Sequence, residues 1–429
     1  MLTTKSYYNH ISISILTTMK SKIISILFTI VILDLLGFGI IIPILPVLFI
    51  KTQFNLAILH QLFPLVKQEY ILYGLIVAAY PFAQFFSAPI LGQLSDKYGR
   101  KQILFYCLAA TSLSYFLAVL GIRMTSFPIL LLSRVLGGIM GGNIAIAQAV
   151  AADITEVKDR TRVYGLLGAA FGIGFILGPY LGGKLSDSNL VSWFHLDTPF
   201  LMAGLLSFVS VVVTWLFLPE THPYEKRQLK LRFGQSISDI KAALSHKRLN
   251  TLFLVGFLFQ FAFTMFVSFF GVLLFKRYSF TQVSIGEYFA FAGLWIAITQ
   301  IFLTKFISRV LGNKAMLAFG LLGCCTMTFL LLPKVEILHL YVITALFAVT
   351  NGLTQTGIIS LLSINNESSS QGKVLGINAS LYALAQSIPP AISGIIATAY
   401  SVTTPIMIAG FIMALSFIYY LGRYKAVHD

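Results

Sequence analysis

Charge is what this chain lacks. Asp, Glu, Lys and Arg make up 10% of its 429 residues, against about 25% in a soluble domain. A soluble fold needs a charged skin, so a water-soluble globular protein is excluded. Disorder is excluded as well, because a chain that stays unfolded is poor in apolar residues and this one is 57% hydrophobic. Cysteine is nearly absent: Cys107, Cys324 and Cys325 all sit in apolar runs, which rules out a disulfide framework or a zinc site. The seven histidines lie outside those runs or at their ends without paired spacing, so no metal and no cofactor is expected. No G-x-x-x-x-G-K-[ST] loop is present, so ATP does not drive the protein. What remains is an integral membrane protein.

A bilayer core of about 30 Å takes ~20 apolar residues of helix per crossing. Twelve runs qualify, near 23–49, 71–91, 102–122, 127–152, 163–183, 199–218, 250–275, 285–304, 315–332, 338–362, 374–399 and 405–421. The first, between Lys22 and Lys51, is too long for a signal-peptide core and no A-x-A-like site follows it, so it reads as a retained helix. An even number of spans places both termini on one side. Counted on that side, Lys and Arg number 22 against 7 on the other, with only Arg134 inside a span. The net charge of +15 is therefore a positive-inside bias that puts both termini in the cytoplasm, and no nucleic-acid footprint.

The expected organisation is a disordered cytoplasmic N-terminus (1–20), a six-helix bundle (21–218), a basic cytoplasmic linker (219–249), a second bundle (250–422) and a short tail (423–429). The halves repeat. LGQLSDKYGRKQIL (91–104) answers TKFISRVLGNKAML (304–317), with Gly99 over Gly312. RVYGLLGAAFGIGFILGPYLGG (162–183) answers KVLGINASLYALAQSIPPAISG (373–394), with Pro179 over Pro390 and Gly183 over Gly394. Two parallel six-helix repeats with a path between them describe a rocking transporter.

Four segments carry the chemistry. In G-Q-L-S-D-K-Y-G-R-K (92–101), Gly92 and Gly99 permit a tight turn between packed helices, and Asp96 is an acid among Lys97, Arg100 and Lys101. In L-D-L-L-G-F-G-I-I-I-P-I-L-P (33–46), Asp34 is the only acid deep within any span. It lies twelve residues, or ~18 Å, from the cytoplasmic end. An acid there is costly and so a functional candidate, with a structural helix–helix hydrogen bond as the plainer alternative. R-V-L-G-G-I-M-G-G-N (134–143) pairs Arg134 with small-residue spacings that allow close helix approach, and leads to Asp153 at the cytoplasmic end. G-I-G-F-I-L-G-P-Y-L-G-G (172–183) gives a packing face of Gly174, Gly178, Gly182 and Gly183, with Pro179 bending its outer end. Tyr80, Gln84, Gln148, Gln260, Gln300, Asn351, Gln355, Tyr382 and Gln386 are read as lining a substrate cavity, though each also suits a buried interhelical hydrogen bond. Glu287, near the outer end of span 8, reads as an interfacial acid, with snorkelling as the plainer alternative, and the apolar-rich loop 49–70 has no assigned role.

Together these segments resemble the major facilitator superfamily, in its twelve-helix drug:proton antiporter branch, which includes tetracycline and multidrug exporters. The likeness covers the chain apart from its first twenty residues. It implies an all-α integral membrane fold of twelve transmembrane helices in two pseudo-symmetric six-helix bundles. It also implies that Asp96 caps the positive end of span 11 and pairs with arginine, so that Gly92, Asp96, Gly99, Arg100, Lys101 and Asp153 form an inner gate. Arg134 would belong to the proton-transfer region, and G-P-x-x-G-G resembles the signature of antiporters and exporters. The sequence departs from the tetracycline exporters in having no acid inside span 9 and no histidine inside span 8.

The reading is a non-enzymatic, monomeric proton antiporter that exports small amphipathic molecules across the bacterial cytoplasmic membrane. Its partners are the small-molecule substrate, protons and lipid. A dedicated exporter or importer of one metabolite such as a siderophore is an alternative, and a non-transporting receptor on the same fold is another. Asp34 is assigned as the proton carrier, because burial disfavours a carboxylate's charge and a nearby cation favours it. Arg134 approaching and withdrawing would switch it.

Overall fold

The computed structural model describes residues 2–51, 68–155, 160–222, 234–246, 249–365 and 371–424. All regular elements among them are helical. They are α1 (Leu2–Ile41), α2 (Ile44–Lys51), α3 (Gln68–Tyr98), α4 (Arg100–Arg123), α5 (Phe127–Ile139), α6 (Asn143–Ile154), α7 (Arg160–Leu185) and α8 (Thr198–Phe217), followed by α9 (Gln235–Ser245), α10 (Asn250–Tyr278), α11 (Gln282–Ile298), α12 (Thr304–Leu330), α13 (Ile337–Ile364), α14 (Gln371–Ser387), α15 (Pro389–Ala399) and α16 (Thr403–Tyr424). A five-residue π turn, Thr299–Leu303, joins α11 to α12. Interruptions fall where proline or glycine disfavours a regular helix. α1 passes to α2 at Pro43, α5 to α6 across Met140–Gly142, and α14 to α15 at Pro389.

Among the described residues, ten stretches are long and apolar enough to cross a membrane. One of them, Gln282–Leu330, has 49 residues, about 74 Å of helix at ~1.5 Å per residue, more than twice a bilayer core. It changes direction at Gly312 (φ 74), so it holds two crossings. The 26-residue α7, rich in glycine, adds another, consistent with twelve. The N-terminal stretch 1–20, expected to be disordered, is instead helical from Leu2, since no Pro or Gly stands before Gly37 to end α1. Gly92 does not form the turn expected of it: α3 runs through it to Tyr98 and nothing approaches its Cβ position, so the turn belongs to Gly99 alone. Residues 52–67 of the loop with no assigned role lie outside the described residues.

Apolar burial is partitioned. One core joins α1, α3, α4, α6, α7 and α8 through residues such as Leu27, Leu104 and Val150. A second joins α9 through α14 and α16, with Val47 of α2 added, through Phe259, Tyr288, Leu321 and Met413. A third, at the side opposite the linker, crosses between the halves, bringing Phe269, Val272 and Ala397 against Leu48, Tyr73 and Phe200. Large apolar side chains that face outward, such as Phe302 at 67% exposure, lie where lipid would be.

The seal at this opposite side is built twice. A Cβ at Gly74 of α3 would collide with the Pro390 carbonyl and come within 3.2 Å of Gly394 in α15; one at Gly286 of α11 would collide with the Pro179 carbonyl and come within 3.2 Å of Gly183 in α7. Helix backbones touch at both places, which only glycine allows. Gly178 and Gly182 of α7 similarly seat on Gly39 and Ile40 of α1. On the linker side, α9 bridges the halves. Ser236, buried, donates to the Phe85 carbonyl of α3 at 2.7 Å. That carbonyl is four residues before Pro89, which has no N–H to give it. Asp239 accepts from Ser380 of α14 at 2.9 Å, and Ala243 lies in the second core.

Candidate functional site

Asp34 sits in α1 among Ile30, Val31, Leu108, Ile144 and Ala147. Its partner is Asn143, whose Nδ2 donates to Asp34 Oδ1 at 2.8 Å. Asn143 is the first residue after the break in span 4, and its own Oδ1 accepts the Ile144 N–H at 2.8 Å. In the sequence Asn143 ends a glycine motif and has no role of its own. The only signal was an amide directly after Gly-Gly inside a span.

The expected Asp34–Arg134 pairing is not the arrangement here. Arg134 is buried on α5 with its guanidinium 5.5 Å from the Tyr115 ring centre and 5.6 Å from that of Phe200. Its Nε donates to Ser133 at 3.4 Å. Aromatic faces stabilise the cation, and among the described residues no carboxylate pairs with it. Tyr80 stands on the α1 side of α3, its ring 6.0 Å from that of Phe38, one turn from Asp34.

The gate residues do converge. Arg100, one-tenth exposed, binds Asp96 at 2.5 Å, Asp153 at 3.1 Å and Ser95 Oγ at 2.7 Å. One planar fork thereby ties the end of α3 to the end of α6. Asp96 engages this arginine rather than the start of α14, where Gly376 has nothing within 4 Å of its Cβ position. Glu220, read only as part of the linker, is a member of the cluster. Its carboxylate accepts the Arg100 N–H at 2.8 Å and the Lys101 N–H at 3.2 Å, capping the positive end of α4. At the opposite side, Glu287 pairs with Lys184 at 2.8 Å instead of snorkelling alone, and its carboxylate holds the Lys184 ammonium above the usual lysine range.

Of the cavity residues, three join in the second half: Gln355 donates to Gln260 at 3.0 Å, and Tyr382 donates to Gln355 at 3.3 Å, linking α10, α13 and α14 with uncharged groups. Asn351 is buried one turn from Gln355. Gln84 is turned to the backbone of span 4, donating to the Gly141 carbonyl at 2.5 Å. Gln148, Gln300 and Gln386 are exposed on their elements and are not drawn into the Gln260–Gln355–Tyr382 network.

The sequence profile of the Major Facilitator Superfamily matches residues 27–388. The chain is 30% identical over 375 residues to the class H tetracycline resistance protein of Pasteurella multocida, covering 84% of this chain and 85% of that one. It is 28% identical over 398 residues to multidrug resistance protein 2 of Bacillus subtilis (strain 168), covering 92% and 93%. Among solved structures, the human organic anion transporter MFSD10 (TETRAN) superposes with a TM-score of 0.70 at 24% identity, covering 94% of this chain and 99% of that one. A bacterial homologue of the human lysosomal transporter Spinster, in an inward-facing and unoccupied conformation, gives a TM-score of 0.75 at 15% identity, covering 94% and 96%.

Proposed function

The chain belongs to the Major Facilitator Superfamily, a family of membrane transporters, and on that premise we propose that it is a proton-coupled antiporter exporting small amphipathic drugs from the cytoplasm. The observation that carries this reading is Asp34, the one acid deep within a span, held by a neutral donor, Asn143, between α1, α4 and α6 of the first bundle. An antiporter needs a group that takes a proton from one side and releases it to the other, and an intramembrane acid is the group suited to it. Similarity to tetracycline and multidrug resistance proteins supports drugs as the cargo. The uncharged Gln260–Gln355–Tyr382 network in the other half supports recognition by hydrogen bonding, kept apart from the proton site. The clamp on Arg100 belongs to the cytoplasmic gate, and the glycine seal to the outer one.

The test uses proteoliposomes with an imposed pH gradient and tetracycline and ethidium as probes. Wild-type protein concentrates at least one of them against its gradient, and Asp34→Asn abolishes that accumulation. Undiminished uphill transport by Asp34→Asn removes the proton-carrier role.

A further inference from the structure

We propose that Gln84 and Ser87 of α3 are positioning residues for Asp34, acting through the break in span 4. The proposal rests on the reading of Asp34 as the proton carrier, and it moves Gln84 from the cavity to the proton site. A helix interrupted inside a bilayer releases carbonyls that find no water there, so the protein must supply donors. At this break the Gly141 N–H turns back to the Gly138 carbonyl at 3.0 Å, a tighter closure than the α-helical one. The Gly138 carbonyl also accepts Ser87 Oγ at 3.2 Å, and the Gly141 carbonyl accepts Gln84 Nε2 at 2.5 Å. Both donors come from one face of α3, three residues apart. The same face is pressed to the break by its glycines: a Cβ at Gly138 would collide with the Tyr80 carbonyl, and one at Gly142 would lie 2.7 Å from Leu91.

Directly after the break stands Asn143, the partner of the acid. Its oxygen is engaged by the Ile144 N–H, so its amide orientation is set and only Nδ2 is turned to Asp34. A partner that only donates distinguishes the carboxylate, which accepts, from the carboxylic acid, which must also donate. α3 is also the helix whose Gly74 seals against α15. When α3 tilts to part that seal, Gln84 and Ser87 are drawn off their carbonyls, the break relaxes, and Asn143 is no longer held on Asp34. One helix thereby couples the gate to the proton site without touching the acid.

The experiment measures carboxyl labelling of Asp34 by N,N′-dicyclohexylcarbodiimide across a pH series in purified full-length protein, read by mass spectrometry. The other titratable groups that interact with the acid are Tyr80, Cys107 and Tyr115, with Arg134 beside the two tyrosines, and the substitutions leave all four in place. Asn143→Leu, which removes the donor, displaces the labelling midpoint by about one pH unit. Gln84→Met displaces it the same way by about half a unit or more, and Ser87→Ala by a smaller amount, although neither touches Asp34. Ser87→Ala is the milder change and serves if Gln84→Met does not fold. Midpoints within ~0.2 unit of wild type in both α3 variants, beside a displaced Asn143→Leu, overturn the proposal. Because labelling needs no transported substrate, it separates this inference from the antiport reading, which fails instead if Asp34→Asn transports normally.

Discussion

At Gly99 the backbone turns with φ 100, and a Cβ there would collide with the Glu220 carboxylate that caps α4. Gly99→Ala is therefore strained twice, by a dihedral that costs about 1–3 kcal/mol for other residues and by displacing a cap worth about 0.3–1 kcal/mol. Thermal melting in detergent is expected to fall for Gly99→Ala. Adding Glu220→Ala gives no further large loss, because the cap is already disturbed; a Gly99→Ala protein that melts like wild type removes this account. The two acids on Arg100 differ in setting: Asp153 is 21% exposed and Asp96 58%. Solvent screens the more exposed pair, so Asp153→Asn lowers the melting temperature more than Asp96→Asn does. If both hold the gate as proposed, transport falls in both variants. Asp34, Asp96, Arg100 and Asp153 were legible because a charge in or beside an apolar run has few structural uses. Asn143 and Glu220 were not. An amide in a glycine-rich span looks like any interhelical hydrogen bond, and its partner lies 109 residues away. Glu220 sits in a stretch whose composition reads as linker.

Among elements, α3 and α11 occupy equivalent places, and so do α7 and α15, because Gly74 meets Pro390 and Gly394 as Gly286 meets Pro179 and Gly183. The repeat that aligned Pro179 with Pro390 in the sequence is thus a repeat of contacts, and the turns agree too: Gly99 and Gly312 are the glycines with positive φ among the described residues. Gly74→Ala and Gly286→Ala should part the same seal by similar amounts. With Cys107, Cys324 and Cys325 replaced by Ser, a reporter cysteine at Phe269, now fully buried, is expected to react with a membrane-impermeant maleimide several-fold faster in either variant. A rise in one variant only shows that the two contacts are not equivalent. The linker element was hidden from the sequence. Residues 235–245 look like polar connection, and nothing in them announces that Ser236 supplies the donor that Pro89 cannot give the Phe85 carbonyl, 151 positions earlier.

For the whole molecule, composition and periodicity were enough to give the class, an all-α membrane fold, since a bilayer dictates span length and backbone pairing. The 22-to-7 division of Lys and Arg is the basis of the proposed sidedness. Reporter fusions at Lys230 should read cytoplasmic and at Tyr278 external, and the opposite pattern inverts the topology. The conformation was not legible, because both gates are encoded in one chain and only packing tells which is shut. That packing carries a kinetic consequence at the linker. α9 belongs to the second bundle through Ala243 and Ser380, while the Ser236 hydroxyl on the Phe85 carbonyl ties it to the first. If the halves rock as the proposed antiport requires, that bond stretches and acts as a detent in the cycle. A net hydrogen bond of about 1 kcal/mol corresponds to roughly fivefold in rate. Where this step limits turnover, Ser236→Ala runs about fivefold faster, and the wild-type protein idles longer between strokes with its outer door shut.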